Sequence, residues 1–144
     1  MKKKTKNTAY IILSILGVLI AAFLILSFTY GRHGHTAGAE ITVRGTELYS
    51  ESQMRDAAEL IRETFEAEYG GCKLRRLYSA QENPAAWMQT DGLDETEYVV
   101  FILDFYGYPL LTTTANRRGD HAFWRMILHA EEDGTWTIFK VRYG

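Results

Sequence analysis

Apolar and polar positions repeat along this chain with different periods, and each period predicts a different element. From Ala9 to Phe28 there is no charged residue. At about 1.5 Å rise per residue these positions make roughly 30 Å of apolar helix, the thickness of a bilayer's hydrocarbon layer. Further on, Met54, Ala57, Ala58, Ile61 and Phe65 recur every three or four residues, with Arg55, Glu59, Arg62, Glu63 and Glu66 between them. Ser50-Glu51-Ser52-Gln53 has the spacing of a capping box, so an amphipathic helix is expected from Glu51 until Gly70-Gly71 ends it.

Strand periodicity fills most of the remainder. Ile41 and Val43 predict a short first strand running towards Tyr49. Cys72 to Ser79 alternates but changes phase at Arg75-Arg76, as a bulge would require. Tyr98 to Tyr106 is a continuous run of β-branched and aromatic residues, the pattern of a central strand. Ala122, Trp124, Met126, Leu128 and Ala130 share one face of a later strand. Asp133-Gly134 supplies a turn, and Trp136 to Tyr143 forms the return strand. Asn83-Pro84 predicts one or two helical turns over Pro84 to Gln89, carrying Trp87. The order predicts an α+β domain in which one long helix packs on a four- or five-stranded antiparallel sheet. That is the layout of cystatin-like and nuclear-transport-factor-2-like folds.

Charge orients this arrangement. Lys2, Lys3, Lys4 and Lys6 precede the apolar span and only Arg32 follows closely, so the basic tail (1–8) is expected in the cytoplasm, with the chain crossing the cell membrane once through 9–30. Residues 31–39, with three glycines, read as a flexible tether, and 40–144 as one extracytoplasmic domain. The alternative is a cleaved signal peptide, since Ala37-Gly-Ala39 has the form of a cleavage site. The net charge is −2; without the four tail lysines, 12 basic and 18 acidic groups remain, or −6. An acidic domain outside the membrane argues against nucleic acid as a partner. The expected partners are the bilayer and an unidentified extracytoplasmic protein or peptide. Gly17 and Ala21, four apart, would also permit a homodimer.

Several segments resemble a family of uncharacterised domains that follow a membrane or lipid anchor in clostridia and related Gram-positive bacteria. The resemblance rests on the Ser50-Glu-Ser-Gln-Met54 helix opening and on Phe65 to Leu74, an F-x-x-E-[FY]-x-G-C-x-L run. It continues through Phe101 to Phe105, Phe123 to Leu128 and Trp136 to Gly144, where Tyr143-Gly144 reverses the Gly-Tyr order of the family pattern. These are core-forming motifs. The resemblance implies a fold and an anchored location, and no catalytic residues.

The chemistry on offer is thin. Cys72 is the only cysteine and reads as a buried structural thiol. It would be a nucleophile only if the sheet brought it to His121 or His129. His33-Gly-His35 with Glu40 is a metal set only if the tether were ordered, and no metal or cofactor is expected. Asp104 is the single acid inside an apolar strand: either a carboxyl in a pocket or an outward-facing residue. Trp87, Asp104, Tyr106, Tyr108, Trp124 and His129 are the candidate walls of a ligand pocket at the open end of the sheet, with the Tyr106 to Asp120 loop as its mouth. The expected function is a non-catalytic module that binds a protein, a peptide or cell-wall material; the alternative is a small-ligand carrier or an enzyme that uses this aromatic-lined pocket. A protease-inhibitor role lacks the Q-x-V-x-G hairpin it would need.

Overall fold

The computed structural model describes residues 2–80, 92–93 and 97–143, with side chains from Asn7 onward; the helical turn expected around Trp87 lies outside them. Helix α1 is Lys2–Tyr30, and its 24 residues from Asn7 to Tyr30 are long and apolar enough to cross a membrane. Strand β1 is Glu40–Thr42, helix α2 Glu51–Glu68, β2 Cys72–Ser79, β3 Tyr98–Gly107, β4 Gly119–Ala130 and β5 Trp136–Arg142.

Helix α2 starts where its capping box directs. The Gln53 N–H donates to Ser50 Oγ at 3.3 Å and the Ser50 N–H donates to Gln53 Oε1 at 2.9 Å, a cap worth about 1 kcal/mol. Its buried stripe is Met54, Ala57, Ala58, Ile61 and Phe65. That stripe packs on Leu74 and Leu77 of β2, on Val99, Phe101, Leu103 and Phe105 of β3, and on Trp124, Met126 and Leu128 of β4. Val100 and Ile127 form a smaller cluster on the opposite face with Leu93 and Tyr98. Strand β3 is thus covered on both faces, which is why its sequence reads as an unbroken apolar run.

The sheet order is β1-β2-β3-β4-β5. β2 to β5 pair antiparallel, but β1 runs parallel to β2, with Glu40 opposite Arg76 and Thr42 opposite Tyr78. The expectation of an antiparallel sheet is corrected here to a mixed one. The cause is α2: at 18 residues it is about 27 Å long and carries the chain back along the sheet, so the strands on either side of it point the same way.

Residues 31–39 also differ from the expected flexible tether, because they lie along β2. The His35 N–H donates to the Cys72 carbonyl at 2.9 Å and the Leu74 N–H to the His35 carbonyl at 2.8 Å, in parallel register with Lys73. The Gly34 N–H donates to the Glu66 carbonyl and the Thr36 hydroxyl to the Glu66 carboxylate. The glycines there and in the neighbouring loops allow backbones to touch. Gly71 sits at φ 73°, and a Cβ on it would lie 2.5 Å from the Leu111 carbonyl carbon; a Cβ on Gly107 would overlap the Arg117 carbonyl. The end of α1, the start of β2, the end of β3 and the following turn are therefore held at backbone contact.

Candidate functional site

Two bulges decide where the candidate side chains lie. In β2 the register shifts between Leu74 and Arg76, and in β3–β4 between Leu103 and Phe105, where Ala122 and Phe123 together oppose Asp104. Phe123 takes φ 59°, a left-handed conformation that costs a side-chain-bearing residue about 1–2 kcal/mol. Asp104 supports it. The residue is 5 % exposed, on the face away from α2, and its Oδ1 accepts the Phe123 N–H at 2.9 Å. Oδ2 receives no directed hydrogen bond but lies 2.5 Å from the Arg76 guanidinium. Asp104 is thus committed to a bulge and an ion pair.

Beside the β2 bulge and the Thr36–Ala39 turn lies a shallow cavity of about 340 Å³. It is lined by Gly38, Lys73, Leu74, Arg75, Tyr106 and Tyr108. Tyr106 and Tyr108 meet edge to face at 5.1 Å, and the Arg75 guanidinium lies 5.3 Å from the Tyr106 ring while pairing with Asp120 at 2.6 Å. This cavity is at the α1 end of the sheet. At the far end a wider recess of about 780 Å³ is lined by Tyr49, Glu97, His129, Ala130, Glu131, Glu132 and Asp133.

Hydrogen bonds fix the chemistry of that recess. Glu131 accepts from the Thr137 hydroxyl at 2.8 Å and lies 3.3 Å from His129 Nδ1, and both contacts hold its carboxyl below the usual range. Asp133 accepts from the Thr135 hydroxyl and N–H across the hairpin turn, with the same effect. Burial, with the Glu97 charge adding, raises the Tyr49 phenol. His129 packs at 5.0 Å from Tyr98.

The six candidates do not share one pocket. Tyr106 and Tyr108 line the α1-end cavity, His129 lines the far recess, and Trp87 lies outside the described residues. Trp124 is a core residue, 4 % exposed, packed against Tyr69, Phe105, His121 and Tyr143. The Tyr106 to Asp120 loop is held at Tyr108, whose N–H donates to the Gly71 carbonyl, and at Arg117, which stacks 3.9 Å from the Tyr69 ring and donates to the Glu68 carbonyl. Burial pushes the Tyr69 phenol up to about 12, with Arg117 opposing. Cys72 is fully buried beside Thr112, and burial raises its thiol. It stands opposite Gly107, whereas His129 stands opposite Tyr98 at the other end of β3. The His35 ring lies on Tyr30 at 4.0 Å, with Nε2 3.2 Å from the Tyr30 carbonyl. Among the described residues no three His, Cys, Asp or Glu side chains gather as metal ligands. The acidic recess had no local signature to find, because Tyr49, Glu97 and residues 129–133 come from three distant stretches.

Fold and surface define an α+β domain, a helix on a mixed five-stranded sheet, behind one apolar N-terminal helix. Compared with family models, curated proteins and solved structures, the chain matches none.

Proposed function

We propose that α1 is a retained single-pass anchor with its lysine tail in the cytoplasm, and that the domain it carries is an extracytoplasmic, non-catalytic module that binds a protein or peptide. One observation carries this reading. Among the described residues the side chains able to do chemistry are engaged separately: Cys72 and His129 are at opposite ends of the sheet, the His121 ring stacks on Phe105 with its Nε2 3.0 Å from the Arg118 carbonyl, Asp104 holds a backbone bulge and Trp124 fills the core. What the domain offers instead is surface. Its larger recess faces away from the anchor and is edged by Glu97, Glu131, Glu132 and Asp133, which suits a cationic segment of a partner. The resemblance to anchored domains of Gram-positive bacteria supports the same location.

The test is photo-crosslinking from residue 132 of the full chain in its native membranes. A discrete adduct that disappears when Glu97 and Glu131 are both changed to Lys supports the module; no adduct overturns it. Orientation is tested separately by Leu48→Cys, which an impermeant maleimide should label in intact cells, since Leu48 is 55 % exposed at the far end. Labelling only after lysis would refute the outward domain.

A second reading, a carrier of a small anionic ligand, is favoured by Lys73 and Arg75 flanking Tyr106 and Tyr108. A saturable response to inorganic phosphate that is lost in Lys73→Ala would support it, and no response would remove it.

A further inference from the structure

We propose that the turn from Tyr108 to Thr112 is a second membrane contact, lying in the outer interface of the bilayer beside the last turn of α1 with the Leu110 side chain among the lipids. This rests on the reading of α1 as a membrane span. The turn is placed by backbone contacts. The Gly71 N–H donates to the Tyr30 carbonyl at 3.0 Å and the Tyr108 N–H donates to the Gly71 carbonyl at 2.9 Å, so α1, β2 and the turn meet at the level where the helix ends. A Cβ on Gly31 would lie 3.2 Å from the Leu111 carbonyl oxygen. Of the α1 residues from Asn7 to Tyr30, all are exposed except Ser27, which is partly covered and puts the covering chain one helical turn, about 5 Å, below the end of the span.

The composition of the turn suits that depth. Leu110 is 79 % exposed, more than any other large apolar side chain described, and a leucine in that state gains free energy on leaving water. Backbone polar groups near hydrocarbon need partners within the protein. The Tyr108 carbonyl accepts both the Leu111 N–H at 3.0 Å and the Thr112 N–H at 2.9 Å, and Pro109 has no N–H to satisfy. Tyr30 and Tyr108 sit at the level where aromatic side chains bridge lipid and water. The Arg32 guanidinium lies over the Phe28 ring at 4.8 Å, a cation–aromatic contact at the end of the span.

The full chain in phospholipid nanodiscs, spin-labelled at one introduced cysteine at a time, tests this. The buried Cys72 should remain unlabelled. A label at Leu19 reports the span, one at Leu48 reports water, and one at Leu110 reports the turn. Leu110→Cys should give a ratio of oxygen to nickel-chelate collisions shifted to the Leu19 side, well above that at Leu48. If Leu19 reports lipid while Leu110 matches Leu48, the turn faces water or a protein partner and the interfacial contact is wrong. If Leu19 also reports water, the spanning reading fails first and the turn fails with it.

Discussion

The two ends of the domain are built in opposite ways. At the α1 end, backbones meet so closely that Gly107 and Gly71 have no room for a methyl group, and aromatic rings from α2, β3 and β4 fill the space above them. At the far end the strands give way to a recess edged by carboxylates, Tyr49 and His129, and the hairpin glycine, Gly134, has open space around it. One end fixes the domain to its helix through backbone contacts. The other is hydrated, charged and free to be contacted. The proposed binding role is assigned to the second end because the first is engaged with α1 and with the turn that carries Leu110.

Glycine replacement should show the largest contrast. Gly107→Ala forces a Cβ into the Arg117 carbonyl and should cost at least about 3 kcal/mol or prevent folding. Gly134→Ala meets nothing and carries only the strain of φ 85°, about 1 kcal/mol. Denaturant unfolding of the full chain in detergent measures both, and equal losses would erase the distinction between the ends. An intermediate effect is expected at the bulge. Asp104→Ala orphans the Phe123 N–H, removes the partner of the exposed Arg76 guanidinium and should lose about 1–3 kcal/mol. Asp104→Asn keeps the Oδ1 acceptor and should recover much of it. An Asn variant as unstable as the Ala variant would show that the charge, and not the bulge, needs Asp104.

The smallest contrast is in pH response. Tyr69, at the α1 end, has its pKa raised to about 12, so the neutral phenol's contribution is complete below the unfolded value near 10 and is lost as pH rises through about 12. Glu131 and Asp133, at the far end, have lowered pKa values. Their contribution is present above the ordinary carboxyl range and is lost as pH falls through the depressed values. Tyrosinate absorbance should therefore report the α1 end in alkali, and the Thr135 amide resonance should report the hairpin in acid. A Thr135 amide that titrates at the ordinary carboxyl pKa would contradict the hairpin contacts.

Much of this fold was legible in the chain because the signals were local. A charge-free run, a capping box with apolar residues three and four apart, and an alternating hairpin closed by Asp133-Gly134 each specify an element within a few residues. The same alternation put Trp124 with Met126 and Leu128, and the core position it implied proved a better guide than its aromatic character. What was not legible depends on long-range contact. Glycines in 31–39 read as freedom, yet glycine also permits close backbone approach, and only the position of β2 distinguishes the two. The parallel β1 follows from a helix length acting on topology. The far recess assembles residues about eighty positions apart.

The account turns on residues 31–39 being a docked edge of the sheet rather than a free tether. Amide hydrogen exchange of the full chain in nanodiscs tests this most directly. The Gly34, His35, Gly71 and Leu74 amides, each donating to a backbone carbonyl at 2.8–3.0 Å, should be protected to the degree of the amides shared by β2 and β3. Exchange at Gly34 and His35 at the rate of an unstructured peptide, with the β2–β3 amides still protected, would contradict it.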